Sequence, residues 1–185
     1  MKCEKIIGLF FFSILIFCES AFAGTHGGSC AVVANNTVAA AWISIDDNGN
    51  ATVKAAKGSM GSAPSTWTTT TISSGISDSQ NSRPKIYTST FGDVLVTWQY
   101  ADANGYYHVA ASMSPVGSSS WNSATISADG TNAGFVDESA AIDALGHVIV
   151  MWSCHCPISN TSSIQTATTT MGLTSTWSTP SVIGE

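Results

Sequence analysis

Two adjacent pairs of acidic residues are the first candidates for chemistry, because paired carboxylates perform acid–base catalysis in glycoside hydrolases. The pairs are Asp46-Asp47 and Asp137-Glu138. Neighbouring side chains on an extended strand point to opposite faces. The first pair also precedes Asn48-Gly49, a context in which aspartate commonly builds a turn. The sequence therefore favours structural roles for both pairs, and we identify no complete catalytic set.

Cysteine and histidine are the second candidates, because both bind metals and cysteine also forms disulfides. In a strand, Cys154 and Cys156 would share one face while His155 points away, so a single ion could not easily use all three. We therefore predict no metal site and no cofactor. A disulfide from Cys30 to either Cys154 or Cys156 is plausible in an exported protein, and unpaired thiols are the alternative.

Tryptophan supplies the strongest pattern in the chain. A Val-x-x-x-Trp segment occurs three times, and a second tryptophan follows each copy. A methionine also precedes each second tryptophan, and equivalent tryptophans lie 54 or 56 residues apart. The segments are Val38–Trp42, Val94–Trp98 and Val148–Trp152; the second tryptophans are Trp67, Trp121 and Trp177; the methionines are Met60, Met113 and Met171. A repeat of about 55 residues is normal for a propeller blade.

We predict that each copy forms four short strands joined by polar turns. In the second copy the strands are expected near residues 85–90, 94–100, 106–113 and 121–127, with Gly92-Asp93 and Asn104-Gly105 in hairpins. Both faces of the Val-x-x-x-Trp strand are apolar or small, so each sheet must be covered on both sides. We predict an all-β protein of propeller-type blades at residues 24–80, 81–130 and 131–185, with a sandwich or solenoid as the alternative.

The loop before each second tryptophan gives the chain a family resemblance. The three loops are Ser62–Trp67, Ser114–Trp121 and Gly172–Trp177. The chain resembles bacterial β-propeller repeat proteins and is distantly similar to sialidase-like propellers, with degenerate Asp-box loops that lack the aspartate. Sialidases clamp a substrate carboxylate with three arginines, whereas this chain has only Arg83. The resemblance therefore implies a non-enzymatic module, with a truncated or degenerate glycoside hydrolase as the alternative.

Three blades are too few to close a ring. Two chains could pair as a homodimer that completes a six-bladed ring, an assembly that small propeller lectins also use. Alternatively, the chain is a fragment of a longer propeller, an interpretation slightly favoured by the absence of charged residues that would protect exposed blade faces.

The N-terminal residues resemble a cleavable signal peptide at 1–23. Lys2 and Lys5 precede an apolar run from Ile6 to Phe17, and Ala21 and Ala23 supply the small residues of a cleavage site. The run is too short to span a bilayer of about 30 Å. A lipid anchor on Cys18 is the alternative, disfavoured by the bulky residue before it. We expect a secreted or periplasmic protein.

Charge and aromatic content suggest the class of ligand. The net charge of −6 argues against nucleic acid or an anionic lipid surface as a partner. Aromatic rings stack on sugar faces, and repeated loops would present the same ring several times. We therefore predict a glycan or a protein ligand at Trp67, Trp121 and Trp177, with Tyr106 and Tyr107 as secondary candidates. Packing between blades is the alternative role for the tryptophans.

Overall fold

The computed structural model describes residues 25–32, 36–73, 83–127, 137–156 and 161–184, with only the main chain for residues 25–32 and 156. The first sheet contains β1 (Thr25–Val32), β2 (Thr37–Ile45), β3 (Ala51–Ser59) and β4 (Thr68–Thr71). The second sheet contains β5 (Lys85–Thr88), β6 (Val94–Ala101), β7 (Tyr107–Ser114) and β8 (Asn122–Thr125). The third sheet contains β9 (Glu138–Ile142), β10 (His147–Cys156), β11 (Thr161–Thr170) and β12 (Ser181–Gly184). A short 3₁₀ turn at Pro64–Thr66 precedes β4.

Each sheet is an antiparallel meander in which strands adjacent in sequence are also adjacent in space. The hairpins explain this local order. Gly49 and Gly105 adopt φ of 84° and 82° in the middle hairpins of the first and second sheets, a left-handed conformation that glycine adopts without strain. The all-β prediction of three four-stranded propeller-type units is confirmed. The residue boundaries at 24–80, 81–130 and 131–185 stay predictions, and the signal peptide at 1–23 lies outside the described residues.

Strand register defines which positions of the three sheets are equivalent. Val38, Val94 and Val148 pair with Gly58, Ser114 and Thr169. This register aligns Trp42, Trp98 and Trp152, as the sequence spacing predicted. It does not align the three methionines, because Met60 and Met171 match Val116. Met113 instead lies within β7 at the position of Lys57, so its use as a repeat landmark was wrong.

Apolar side chains on both faces of the second sheet hold the three sheets together. One face packs against the first sheet, and this first core cluster contains Ala39, Ala41, Ile43, Ala51, Val53, Ala55, Ile72, Val94, Val96, Trp98 and Ala110. The other face packs against the third sheet, and this second core cluster contains Leu95, Val109, Ala111, Met113, Ile126, Val148, Val150, Trp152, Cys154 and Ala167. Burial on both faces is what the apolar pattern of β6 requires.

The first strand of each sheet lies on the side where the sheets approach one another. β1 contacts β5, and β5 contacts β9. The sheets therefore lie side by side with their first strands together, as the blades of a propeller do. Within the described part of the chain, no helix is long and apolar enough to cross a bilayer.

Candidate functional site

Aspartates at hairpins act as turn formers. Asp46 Oδ1 accepts main-chain N–H groups from Asn48 and Asn50 at 2.9 and 2.8 Å, and side-chain and main-chain hydrogen bonds from Asn50 lower the Asp46 pKa. Asp102 makes the equivalent bonds to the N–H groups of Asn104 and Tyr106. The structural role favoured for Asp46 from the sequence is thus consistent with its contacts.

The two side chains of the second acidic pair differ in exposure, as expected when neighbouring side chains on a strand point to opposite faces. The Asp137 side chain is 93% exposed, whereas that of Glu138 is 1% exposed and lies between the second and third sheets. Glu138 accepts a 2.6 Å hydrogen bond from Gln99, and its carboxylate lies 3.7 Å from Lys85 Nζ. Burial raises the Glu138 pKa, and the positive charge of Lys85 opposes that rise. This carboxylate joins two sheets and is closed to solvent.

Cysteine and histidine were the candidates for metal binding or a disulfide. Among the described residues, no group of three or more potential ligands could hold an ion. Cys154 is buried in the second core cluster. The side chains of Cys30 and Cys156 lie outside the described residues, so the disulfide from Cys30 to Cys154 or Cys156 stays a prediction.

The loop tryptophans occupy equivalent positions but meet different neighbours. Trp67 lies against the main chain of Gly58 and donates a 3.1 Å hydrogen bond to Ser62 Oγ. Trp121 packs against the first core cluster, with Lys57 Nζ 5.7 Å from its ring centroid. Trp177 packs against the second core cluster. All three indoles are half-buried, so each combines packing with some access to solvent.

The two tyrosine candidates lie at the hairpin between β6 and β7. Tyr106 is half-buried, and its main-chain N–H donates to Asp102 at 3.0 Å. Tyr107 is half-buried and packs against the second core cluster. The structure does not bring either tyrosine to the lining of the two grooves described next.

A groove of about 410 Å³ lies between the first sheet and the loop before β8. We call it the first groove. It is lined by Thr37, Lys57, Gly58, Ser59, Ser62, Thr66, Thr68, Gly92, Val116, Gly117, Ser118 and Ser119. Seven of these side chains carry a hydroxyl group, so the lining is dense in hydrogen-bonding groups.

Lys57 anchors the edge of the first groove. Its ammonium group donates to the main-chain oxygens of Ser114, Pro115 and Ser118 at 3.1, 3.2 and 3.3 Å. Burial lowers the Lys57 pKa to about 8, while the charge of Asp93 acts in the opposite direction. The ammonium thereby fixes the loop of the second sheet that forms one wall of the groove.

A second groove, of about 670 Å³, lies on the outward face of the third sheet. We call it the third-sheet groove. It is lined by Ala141, Asp143, His147, Val148, Ile149, Thr168, Thr169, Thr170, Thr176, Trp177 and Ser178. His147 Nδ1 lies 2.7 Å from Asp143 Oδ2, and bonds from His147 lower the Asp143 pKa. The lining thus combines an indole ring with several hydroxyl groups and an acid–imidazole pair.

The two grooves occupy the same place in the repeat. Strand register and the position relative to the loop tryptophan match five pairs of lining residues. The pairs are Thr37 with His147, Lys57 with Thr168, Ser59 with Thr170, Thr66 with Thr176, and Thr68 with Ser178. The first groove has a wall from the neighbouring sheet. The third-sheet groove lacks such a wall among the described residues, which accounts for its greater volume.

Sequence reasoning found Trp177 but missed the rest of this lining. Threonine and serine are abundant in all three copies, so composition gave no reason to select Thr170 or Ser178. The alignment of the repeats through their strand register, rather than through their tryptophans and methionines alone, would have placed these hydroxyls together.

Comparison with solved structures finds a lectin of similar fold. A fucose lectin from Kordia zhangzhouensis, solved in complex with methyl-fucoside, is 10% identical, with a TM-score of 0.50 over 86% of this chain and 100% of that one. An endo-arabinase from Bacteroides thetaiotaomicron is 10% identical, with a TM-score of 0.39 over 82% of this chain and 59% of that one. No family model and no curated protein matches the sequence.

Proposed function

We propose that this protein is an exported, non-enzymatic propeller-type module that recognises glycans in its repeat-equivalent grooves. The observation that carries the proposal is the recurrence of one hydroxyl-rich lining at the same place in two sheets. Sugars are recognised by several directed hydrogen bonds together with contact to an aromatic face. The third-sheet groove offers both in Trp177 and its flanking Thr176 and Ser178.

The fucose lectin that shares this fold is a sugar-binding protein, which supports the same class of ligand. Its 10% identity to this chain transfers the fold alone, so the choice of fucose or another sugar is left to experiment. The proposal includes a homodimer, because several copies of a weak groove on one assembly raise the apparent affinity for a multivalent glycan.

The absence of catalysis is part of the proposal. Of the acidic pairs considered from the sequence, Asp46 is engaged in a turn and Glu138 is closed to solvent beside Lys85. Neither is placed to act on a bound sugar. Asp143, which lines the third-sheet groove, accepts the main-chain N–H groups of Leu145 and His147 at 2.8 Å and so acts as a hairpin turn former. We therefore do not favour the alternative of a degenerate glycoside hydrolase.

A glycan array probed with the secreted protein tests the proposal, followed by calorimetry with the sugars that bind. Thr68→Val and Thr170→Val each remove a hydroxyl from one groove at nearly constant shape. We expect each variant to weaken one class of sites by about 5- to 30-fold, in line with the loss of a hydrogen bond of roughly 1–2 kcal/mol. Thr71→Val, on an exposed position of β4 outside the groove lining, is the matched control.

Failure of the protein to bind any glycan would overturn the proposal and leave a protein ligand as the better hypothesis. Equal effects of Thr71→Val and of the groove variants would exclude the grooves as binding sites. Mass spectrometry of the mature protein tests export separately, with Gly24 expected at its N-terminus.

A further inference from the structure

The outward face of the third sheet carries large apolar side chains that remain exposed. Ile149 and Met151 on β10 and Ile164 on β11 each expose 39% of their surface. Strand register places all three on one face, since Ile149 and Met151 are two positions apart and Ile164 pairs with Ser153, which is two positions beyond Met151. Together they form an apolar patch that adjoins the third-sheet groove, in which Ile149 is also a lining residue.

The equivalent positions of the other two sheets are fully buried. Ile149 matches Ala39 and Leu95, Met151 matches Ala41 and Thr97, and Ile164 matches Val53 and Val109. All six of these matching residues have 0% exposure, because the next sheet packs on them. The third sheet therefore presents the same packing surface, with side chains at least as large, and without a cover among the described residues.

The first sheet carries a turn with the same conformation as the turn that covers the first groove. On the first groove, the cover is provided by the turn Pro115–Ser118, in which Gly117 has φ of 73° and Ser118 N–H donates to the Pro115 oxygen at 3.1 Å. The turn Ser59–Ser62 has the same register, with Gly61 at φ of 87° and an equivalent 3.0 Å bond. Ser59 and Gly61 are exposed and free to meet another surface.

We propose that the outward face of the third sheet binds the first sheet of a second copy of this chain. The turn Ser59–Ser62 of that copy would take the position that Pro115–Ser118 holds on the first groove. Trp42 and Trp67 of that copy would pack as Trp98 and Trp121 do in the first core cluster. The interface continues a sheet-to-sheet packing that already occurs twice within the chain.

Reciprocal packing of this kind joins two chains into one closed assembly. Two copies contribute six four-stranded sheets, a number that lies in the usual range of four to eight blades for propellers. Each contact pairs the third sheet of one copy with the first sheet of the other, so a ring leaves no face uncovered. The second copy would also narrow the third-sheet groove toward the 410 Å³ of the first groove without filling it.

Sedimentation velocity of the secreted protein tests this interface, which does not depend on glycan recognition. We expect a dimer, and we expect Ile149→Glu to weaken it at least about 100-fold, because an unpaired carboxylate would be buried against apolar side chains. Leu145→Glu is the matched control. It adds the same charge at a hairpin tip that is 81% exposed, and Phe91 at the corresponding tip of the second sheet remains 59% exposed despite the packed third sheet.

Each outcome decides the proposal. A monomeric wild-type protein overturns it, and so does a dimer that survives Ile149→Glu or is disrupted equally by Leu145→Glu. Far-ultraviolet circular dichroism and urea unfolding establish that both variants are folded. A glycan that still binds the first groove of monomeric Ile149→Glu shows that dimerisation and sugar recognition are separate properties, so loss of one leaves the other measurable.

Discussion

Lys57 Nζ donates a 2.8 Å hydrogen bond to Ser114 Oγ, and this bond joins the first sheet to the second. The same ammonium group reaches three main-chain oxygens of the loop that follows β7. With four oxygen acceptors around one cation, this contact is a polar link between the two sheets. It lies at the rim of the first groove, so it couples the packing of the sheets to the shape of the candidate site.

Replacement of Lys57 by methionine should therefore weaken the junction. Lys57→Met keeps the length of the side chain but leaves the loop oxygens without their donor, and we expect the free energy of unfolding to fall by about 1–3 kcal/mol. Urea unfolding measures the change. Lys54→Met, on the opposite face of β3, is the control and should lose much less. Equal losses in the two variants would contradict a special role for Lys57.

Glu138 gives the stability of the protein a distinctive dependence on pH. Burial raises its pKa above the ordinary value of 4.5, so the folded protein binds more protons than the unfolded chain over the range between the two values. Its contribution to stability is complete below about pH 4.5 and is lost as the pH rises through the raised pKa. Glu138→Gln should remove this decline.

The measurement is the free energy of unfolding of wild type and Glu138→Gln from pH 4 upward. The difference between them should shift in favour of the variant as the pH increases. Asp137→Asn is the control, because it removes the exposed partner of the same Lys85 and leaves Glu138 intact. A constant difference across this range would show that Glu138 does not titrate as its burial implies.

Asp102 should have the opposite pH dependence. A main-chain hydrogen bond from Tyr106, and further bonds from Asn104 and His108, lower the Asp102 pKa below 3.8 in the folded protein. The stability that it contributes is present above about pH 3.8 and is lost as the pH falls through the lowered value. We expect Asp102→Asn to lower the melting temperature at pH 7, and the deficit relative to wild type to shrink at pH 3.

Differential scanning calorimetry at both pH values measures the effect of Asp102. Asp102→Ala, which removes both the charge and the acceptor for two N–H groups, should be less stable than Asp102→Asn at either pH. A deficit that is independent of pH would mean that the charge of Asp102 has no part in holding the hairpin.

Much of the fold could be predicted from the sequence because its determinants are local and repeated. The two tryptophans in each copy predicted the number of sheets. The glycines at hairpins predicted where their strands begin and end. Met113 shows where this reasoning fails: a sequence landmark near a loop does not reveal strand register, and Met113 lies in the core at the place of Lys57. The spacing of the methionines alone could not distinguish a methionine in a loop from one in a strand.

The contacts between sheets were not predictable from the sequence. Lys85 and Glu138 are separated by 53 positions along the chain, and no local sequence pattern predicts their contact. The loop tryptophans were found, but which wall each would contact depends on the neighbouring sheet. Trp121 meets Lys57 of the first sheet, whereas Trp177 lines an open groove.

Gly58 is the position where one added methyl group should have the clearest local effect. Its main chain lies directly beneath the indole of Trp67, and a Cβ atom at Gly58 would overlap three ring atoms of that side chain. Gly58→Ala must therefore displace Trp67 and strain its hydrogen bond to Ser62. We expect a loss of about 1–3 kcal/mol in the free energy of unfolding, typical of overpacking, together with red-shifted tryptophan emission. Gly184→Ala, in an open environment on β12, should change neither quantity. An unchanged emission spectrum in Gly58→Ala would show that Trp67 does not rest on this glycine.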